Sequence, residues 1–268
     1  MQKIHFTKMN GTGNDFILFD NRTGLYKGDE EDFFKGLCQR KFSVGADGVL
    51  LVDGEKDGVI YMRYFNSDGK EADMCGNGAR CVALFAKIKN IIQSNSFVLK
   101  ARDGLHPVDV QEDRVKLRLN PTSEIKTGFN LIKEKGLEEG GYIEVGVPHY
   151  VIFTERLEEI NLKEKAPYYR HHAVFSQGTN VNFVQYSDNQ IQVRTFERGV
   201  EDETLSCGTG CVASALIASR NFQIKSPITV ITRGGELRVE FDAGFNEVFL
   251  MGPAEVVYEG VIKRKYKR

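Results

Sequence analysis

The sequence lacks the features that mark membrane, secreted and nucleic-acid-binding proteins. Its formal net charge is −1 over 268 residues, which gives no electrostatic reason to expect a nucleic acid or an anionic membrane as a partner. No apolar run approaches the ~20 residues that span a bilayer, and the first ten residues lack the apolar core of a signal peptide. We therefore expect a cytoplasmic protein, and the composition, 41% hydrophobic and 27% charged, suits a globular fold.

The cysteines lack the spacings of a disulfide framework or of a dithiol redox motif. They stand at positions 38, 75, 81, 207 and 211, with no Cys-x-x-Cys pair. A zinc site has little support, because the Cys-x5-Cys and Cys-x3-Cys pairs have no third ligand nearby. We expect reduced thiols and no metal. A thiol redox protein stays open as an alternative function.

Two of the cysteines lie in stretches that resemble each other. D-M-C-G-N-G-A-R-C (73–81) follows I-Y-M-R-Y-F-N (60–66), and L-S-C-G-T-G-C-V-A (205–213) follows I-Q-V-R-T-F-E (191–197). The two upstream segments are 131 residues apart (191 − 60), and each copy closes on a proline 46 residues after its cysteine (121 − 75 and 253 − 207). Agreement in order, spacing and residue type favours a duplicated unit over chance.

The residue patterns of the two copies predict the same elements. Alternation predicts strands at 59–65 and 191–196, and helix-forming runs predict helices at 79–90 and 211–222. Further strands are expected at 96–101 and 228–232, with hairpins pairing 108–110 with 115–119 and 237–241 with 247–251. Outside the repeat we predict an N-terminal hairpin, a helix at about 29–41 and a strand at 256–262.

Many strands with one long helix per copy predict an α+β protein. We expect two similar, pseudo-symmetric domains, each a mostly antiparallel β-sheet wrapped around a central helix. Residues 1–120 would form the first domain with Cys75, and residues 121–256 the second with Cys207. A C-terminal strand at about 257–268 is a candidate to return to the first domain. The active site is expected in the cleft between the domains.

A thiol at the start of a helix suits acid–base chemistry on an anionic substrate. The first turn of a helix has unpaired N–H donors and a partial positive charge, which favour a bound carboxylate and can lower the pKa of a cysteine. If two such helix ends faced each other, one thiolate could remove an α-proton from one face of a carbon while the other thiol protonated the opposite face. This arrangement predicts an amino-acid racemase or epimerase.

Three stretches carry a resemblance to a known family. K-M-N-G-T-G-N-D-F (8–16), F-N-S-D-G-K-E-A-D-M-C-G-N-G-A-R-C (65–81) and F-E-R-G-V-E-D-E-T-L-S-C-G-T-G-C (196–211) resemble the diaminopimelate epimerases, and the likeness extends over essentially the whole chain. The resemblance implies conversion of LL-2,6-diaminopimelate to the meso isomer in lysine and peptidoglycan precursor synthesis. It also implies no pyridoxal phosphate or other cofactor, and a two-domain fold with a helix inside each sheet.

The resemblance also implies roles for particular residues. Cys75 and Cys207 would be the base and the acid, with His149 and Glu197 supporting the catalytic pair. Backbone N–H groups would cradle the reacting carboxylate, and polar side chains would bind the ends of the substrate. The residues expected to bind substrate are Asn14, Asn66, Gly76, Asn77, Asn180, Glu197, Arg198, Gly208 and Thr209.

This chain departs from the family pattern at two positions. Gly48 stands where many members have Gln at the end of G-A-D-x, and Val147 stands where many have Asn before Pro-His. Both departures concern recognition of the distal end of the substrate and leave the two-thiol chemistry unchanged. The alternative function is that of a related two-cysteine racemase of the proline or hydroxyproline type. The expected partner is a small-molecule amino acid, and a homodimer is possible.

Overall fold

The chain divides into two units, and each is built around one buried helix. The computed structural model describes residues 2–264, with side chains described over 3–263. One unit comprises residues 2–117 and 252–264, and the other residues 118–251. From the sequence, the boundaries are expected a few residues later, between residues 120 and 121 and between residues 256 and 257. The last part of the expected C-terminal strand, 265–268, lies outside the described residues.

The first unit is a mixed sheet in which the last strand of the chain pairs with the first. The sheet runs β17-β1-β2-β3-β4-β6-β7-β8, with the short β5 also paired to β4; β2–β3 and β4–β6 are parallel, and the other pairs are antiparallel. Its elements are β1 (Gln2–Gly11), β2 (Asn14–Asp20), α1 (Glu31–Cys38), β3 (Gly48–Lys56), β4 (Val59–Asn66), β5 (Glu71–Ala72), α2 (Gly76–Ile88), β6 (Ser96–Ala101), β7 (Gly104–Gln111), β8 (Arg114–Arg118) and β17 (Glu255–Arg264).

The second unit repeats this topology. Its strands run β9-β10-β11-β12-β14-β15-β16, with the short β13 also paired to β12; β10–β11 and β12–β14 are parallel and the other pairs antiparallel. Its elements are β9 (Leu137–Val145), β10 (Val147–Thr154), a 3-10 turn (Leu157–Glu159), α3 (Leu162–Arg170), β11 (Asn180–Ser187), β12 (Gln190–Glu197), β13 (Asp202–Thr204), α4 (Gly208–Phe222), β14 (Ile228–Thr232), β15 (Gly235–Phe241) and β16 (Val248–Pro253).

The strand registers establish which residues of the two units are equivalent. Leu50 pairs with Leu18 on β2 and with Tyr64 on β4. Asn182 pairs with Val151 on β10 and with Thr195 on β12. Position 182 therefore corresponds to 50, and 195 to 64; by the same registers 149 corresponds to 16. The repeat thus extends from the aligned cysteine segments back to the first strands of each unit.

Each central helix is apolar on nearly all sides because the sheet surrounds it. In α2 every residue from Gly76 to Ala86 is buried, and the helix packs against β1, β2, β3, β4 and β7. In α4 the buried residues include Val212, Ala215 and Leu216, and the helix packs against the corresponding strands of its own unit. A helix that is buried all round belongs in a protein core rather than at a surface.

The outer side of each sheet is covered by a shorter helix. Phe34 of α1 packs with Phe65 of β4, and their rings are 4.7 Å apart. In the second unit Tyr169 of α3 packs with Tyr150 of β10, at 5.9 Å between rings. These clusters fix the sheets from behind, so that the central helix and its surrounding strands form a rigid frame.

The predicted α+β class with two similar domains is confirmed. The strands at 96–101 and 228–232 have the predicted bounds. The helices predicted at 79–90 and 211–222 begin three residues earlier, so that each cysteine is the N-cap and the following G-x-G forms the first turn. The helix predicted at 29–41 is shorter, Glu31–Cys38.

Candidate active site

Cys75 stands at the N-cap of α2 in an extended backbone conformation. Its side chain is half-buried, while Gly76, Asn77 and Gly78 behind it are buried. The Sγ atom lies 3.6 Å from Asn14 Oδ1, and the Asn77 side-chain amide donates to the same oxygen at 3.4 Å. The first unit therefore brings together three of the predicted residues, Cys75, Asn77 and Asn14.

The orientation of the Asn14 amide is set by Asp47. Asn14 Nδ2 donates to Asp47 Oδ2 at 2.7 Å, which leaves Oδ1 directed toward Cys75. Arg40 in turn binds Asp47 at 2.9 Å and Asp15 at 2.5 Å. Burial opposes ionisation of Asp15, but the hydrogen bonds from Arg40 and Lys8 lower its pKa to about 2. The sequence did not single out Asp47, although it lies in the G-A-D-G segment.

Asn66 and Gly48 face each other at one end of β3 and β4. The two residues are paired in register, and Asn66 is exposed. A Cβ atom at Gly48 would lie 2.6 Å from the Phe65 carbonyl oxygen and 2.6 Å from the Tyr64 ring. The absence of a side chain at 48 therefore matches the space: the Tyr64 ring occupies the region into which a longer residue would extend.

Cys207 stands at the N-cap of α4, equivalent to Cys75 in α2. Its Sγ lies 3.5 Å from the Thr209 hydroxyl, which is 2.9 Å from His149 Nε2. Three predicted residues, Cys207, Thr209 and His149, are thus connected by hydrogen bonds within the second unit. His149 reaches the sulfur through Thr209 rather than directly.

The imidazole of His149 is completely buried and neutral. Burial lowers its pKa to about 3, and the positive charge of Arg198 lowers it further. Asn182 Nδ2 is 3.2 Å from His149 Nδ1, and Thr195 donates its hydroxyl proton to Asn182 Oδ1 at 2.9 Å. Because Asn182 Oδ1 accepts, its Nδ2 is the donor to Nδ1. The ring proton of His149 therefore sits on Nε2.

The expectation of a lowered thiol pKa is wrong for Cys207 in this conformation. Burial raises the pKa of Cys207 well above its ordinary value, and the negative charge of Glu197 adds to this. The Thr209 hydroxyl and the Gly210 N–H act in the opposite direction. The helix N-terminus favours the thiolate as predicted, but desolvation outweighs it.

Asn180 links β10, at the residue before His149, to the turn that follows β12. Its Nδ2 donates to the Pro148 carbonyl at 3.0 Å, and its Oδ1 accepts from the Arg198 N–H at 2.7 Å. The Arg198 guanidinium donates to the Gln177 carbonyl at 3.2 Å. Asn180 thus positions Arg198, while its predicted contact with substrate stays a prediction. Val147 begins β10 and presents no polar side chain here.

Sequence reasoning missed Asn182, Thr195 and Arg80. Asn182 and Thr195 are buried within β11 and β12, and this burial is visible only in the structure. Arg80 is fully buried and donates to Thr12 Oγ1 at 2.7 Å and to the Gly76 carbonyl at 3.4 Å. It fixes the first turn of α2 against the N-terminal hairpin.

Three findings concern possibilities considered from the sequence. Over residues 2–264, the His, Cys, Asp and Glu side chains form no group of three or more that could hold a metal ion. Within the same described part of the chain, no helix is both long and apolar enough to cross a membrane. The five cysteines, all described, form no disulfide.

Comparison with known sequences identifies relatives over nearly the whole chain. The family model described as Diaminopimelate epimerase matches residues 6–124 and 141–257. The diaminopimelate epimerase of Flavobacterium psychrophilum is 39% identical over 262 residues, which cover 95% of this chain and 98% of the relative. That of Methanothrix thermoacetophila is 40% identical over 276 residues, which cover 98% of this chain and 97% of the relative.

Solved structures share the fold at much lower identity. A phenazine biosynthesis protein of the PhzF family from Bacillus anthracis superposes with a TM-score of 0.76 at 16% identity, covering 98% of this chain and 100% of its own. A hydroxyproline epimerase from Agrobacterium vitis, with bound trans-4-hydroxy-L-proline, gives 0.66 at 15%, covering 98% and 91%. At these identities the likeness shows the fold alone.

Proposed function

The chain belongs to the diaminopimelate epimerase family, and from this premise we propose that it interconverts LL-2,6-diaminopimelate and meso-diaminopimelate. The enzyme is then an isomerase that inverts one Cα centre, a step in lysine and peptidoglycan precursor synthesis. The hydroxyproline epimerase is a distant neighbour in fold, whereas the diaminopimelate epimerases are relatives at up to 40% identity.

The observation that carries the mechanism is the equivalence of the two cysteines. Each is the N-cap of a buried helix in the same position of a repeated fold, and each is followed by glycine. We propose that the two thiols act on one α-carbon: one thiolate takes the proton from one face, and the other thiol delivers a proton to the opposite face. The second sulfur is then the thiolate, so the pair is ready for the reverse reaction.

The first turns of α2 and α4 supply the electrostatic part of the proposal. Gly76 and Asn77 in one unit, and Gly208 and Thr209 in the other, form the first turns of these helices, where backbone N–H groups point toward the N-terminal end. Negative charge that develops on the substrate carboxylate as the α-proton leaves is stabilised by such donors. A proton transfer stabilised in this way requires no pyridoxal phosphate or metal as an electron sink.

Recognition of the distal end of the substrate is assigned to polar groups outside the first turns. Arg198 suits a carboxylate because its guanidinium donates in a planar fork, and Glu197 suits an ammonium group. Asn14, Asn66 and Asn180 complete the proposed set. The cytoplasm, where thiols stay reduced, is the proposed location, and a homodimer remains compatible with the proposal.

The test is isotope exchange in deuterated water under reducing conditions. Wild-type protein should convert LL-diaminopimelate to the meso isomer and place solvent deuterium at Cα, because the delivered proton comes from a thiol in exchange with solvent. Cys75→Ser and Cys207→Ser should each lose ~10²-fold or more of the rate, since a serine hydroxyl is a far weaker acid than a thiol and is not ionised near pH 7.

Matched controls lie within the same helices. Cys81 and Cys211 are completely buried one to two turns after the N-caps, and no role is proposed for their sulfurs. Cys81→Ala and Cys211→Ala should keep most of the activity. Near-normal turnover in either N-cap variant would contradict the two-thiol mechanism.

The same assay separates the rival functions. L-Proline and trans-4-hydroxy-L-proline serve as substrates for the racemase alternative, and reduction of a model disulfide for the thiol redox alternative. Exchange at Cα of proline without exchange of diaminopimelate would replace the proposed substrate. Disulfide reduction without any Cα exchange would replace the reaction class.

A further inference from the structure

A continuous chain of hydrogen bonds runs beneath the first turn of α4. Thr195 Oγ1 donates to Asn182 Oδ1 at 2.9 Å, and Asn182 Nδ2 donates to His149 Nδ1 at 3.2 Å. His149 Nε2 and Thr209 Oγ1 are 2.9 Å apart, and Thr209 Oγ1 is 3.5 Å from Cys207 Sγ. Thr195, Asn182 and His149 are 0–3% exposed. The chain therefore connects the protein interior to a proposed catalytic sulfur.

The direction of this chain is determined at its buried end. An amide oxygen only accepts, so the Thr195 hydroxyl must be the donor, and the Asn182 nitrogen is left to face the imidazole. That nitrogen only donates, so Nδ1 carries a lone pair and the single ring proton is on Nε2. When the Thr209 oxygen accepts a hydrogen bond from Nε2–H, the Thr209 hydroxyl proton can be donated in a hydrogen bond to Cys207 Sγ.

The equivalent positions of the first unit are apolar or aromatic. Phe16, Leu50 and Tyr64 occupy the places of His149, Asn182 and Thr195. The Phe16 and Tyr64 rings meet edge to face at 6.0 Å, and Leu50 packs against Gly78 of α2. The repeated fold thus forms around a helix N-terminus without an imidazole, an amide or an aliphatic hydroxyl at these positions.

Polar groups buried in a core are favourable only when they are fully hydrogen-bonded, and apolar residues would serve packing at least as well. Since the first unit has a phenylalanine, a leucine and a tyrosine ring at these positions, packing alone does not require Thr195, Asn182 and His149. The hydrogen bonds of Thr195, Asn182 and His149 lead to Thr209 and Cys207, which indicates a role at the Cys207 sulfur.

We propose that Asn182, anchored by Thr195, is a positioning residue that holds neutral His149 with its proton on Nε2 and so directs the Thr209 hydroxyl toward Cys207 Sγ. This inference rests on the proposed function. It makes the two thiols chemically different: Cys75 faces an amide oxygen, which can only accept, whereas Cys207 faces a hydroxyl that can donate to a thiolate. The charged groups near this end are Glu197 and Arg198.

The first experiment determines which ring nitrogen of His149 carries the proton. In the wild-type protein, 15N NMR of the His149 ring should show Nδ1 unprotonated and Nε2 protonated at pH 7. Asn182→Asp replaces the donor with an acceptor of the same shape, so Nδ1 should become protonated. Protonated Nδ1 in the wild type, or unprotonated Nδ1 in the variant, would overturn the proposal.

The second experiment measures the rate of the reaction and its dependence on pH. Asn182→Asp should lower kcat ~10- to 100-fold, by analogy with the loss of the hydrogen-bond partner of a metal-bound imidazole. It should also add an ionisation to the pH profile of kcat/KM, because a carboxylate partner raises the imidazole pKa. A loss of packing alone would lower the rate without changing the shape of that profile.

Thr195 provides a matched pair. Thr195→Val keeps the shape and removes the donor to Asn182, and should lower kcat about tenfold; Thr195→Ser keeps the donor and should restore the wild-type rate and profile. Ser214→Ala is the control for loss of a buried hydroxyl on α4, because no hydrogen-bond partner for that hydroxyl occurs among the described residues. It should leave kcat unchanged.

The outcomes separate the two proposals. If the wild type fails to exchange Cα of diaminopimelate, the proposed function fails, while the NMR comparison still tests the hydrogen-bond chain. If the wild type is active and Asn182→Asp and Thr195→Val keep its rate and pH profile, the positioning role is overturned.

Discussion

Single residues decide how the two thiols differ. The Asn14 amide is oriented by Asp47, and the Thr209 hydroxyl is oriented through His149. Both supporting groups lie in strands or loops that precede the helix in sequence. The sequence resemblance identified His149, Asn14 and Thr209, but not the residues that orient them.

Those orienting residues could not be predicted for a physical reason. Asn182 lies in V-N-F-V, where a polar residue between apolar ones ordinarily marks the solvent face of a strand. Here β11 is covered on both faces, by α4 on one side and α3 on the other. Burial of a strand on both faces depends on tertiary packing, which alternation in a single segment does not encode.

His149 also makes stability depend on pH. The unfolded imidazole has a pKa near 6.5 and the folded one about 3. Between these values the unfolded chain binds a proton that the folded chain does not, so the free energy of unfolding falls as pH falls. One such group contributes a slope of about 1.4 kcal/mol per pH unit.

We expect His149→Gln to flatten this slope. Glutamine keeps a donor and an acceptor but does not ionise. Urea unfolding at pH 6.5, 6.0 and 5.5 measures the slope above the range in which most carboxylates titrate. The stabilisation linked to Asp15, whose pKa is lowered from 3.8 to about 2, is lost at lower pH, as the pH falls from about 5 toward 2. Equal slopes for the variant and the wild type would show that the folded imidazole is not kept neutral.

At the scale of elements, the two central helices begin against different surfaces. A Cβ at Gly78 would meet the Leu50 methyl groups at 3.3 and 3.4 Å. A Cβ at the equivalent Gly210 would lie 2.5 Å from Asn182 Oδ1, which is held by Thr195. A leucine methyl can move aside more readily than an amide fixed by hydrogen bonds.

Gly78→Ala and Gly210→Ala therefore form a matched pair. We expect Gly78→Ala to change the free energy of unfolding by less than ~1 kcal/mol, because a small clash is offset by better helix propensity. Gly210→Ala should destabilise by ~2 kcal/mol or more through overpacking. Urea unfolding of the two variants gives the comparison, and equal losses would mean that Asn182 is free to move.

The elements that the sequence predicted are those with local patterns. β6 and β14 alternate and have the predicted bounds, and the apolar runs of α2 and α4 identify both helices. Strand β3 reads V-L-L-V, which lacks alternation because it is buried on both faces. Helix α3 contains Pro167 and a polar surface, so its sequence does not indicate a helix.

At the scale of the whole molecule, the end of the chain completes the first unit. β17 pairs antiparallel with β1 from Gln2 opposite Arg264 to Asn10 opposite Glu255, and Tyr258 meets Phe6 at 5.9 Å between rings. The sequence predicted a strand in the tail and a possible return. Which strand it would pair with depends on a contact across most of the chain, for which the sequence holds no local pattern.

Removal of this strand should weaken the first unit selectively. A chain ending at Ala254 loses the ladder partner of β1, and the exposed backbone groups of β1 should lower the melting temperature by ~10 °C. Limited proteolysis should then cut residues 2–117 faster than in the full chain, with residues 118–251 as an internal control. Uniform acceleration in both units, or none, would contradict this assignment.

The same connectivity places one unit inside the sequence of the other. Residues 118–251 are continuous and leave the ribosome together, so their sheet and helix can assemble during synthesis. The other sheet is completed only by its outermost strand, Glu255–Arg264, which is translated after residues 118–251. A nascent chain stalled before residue 255 would therefore carry one finished half and one half with an open edge for a chaperone to shield.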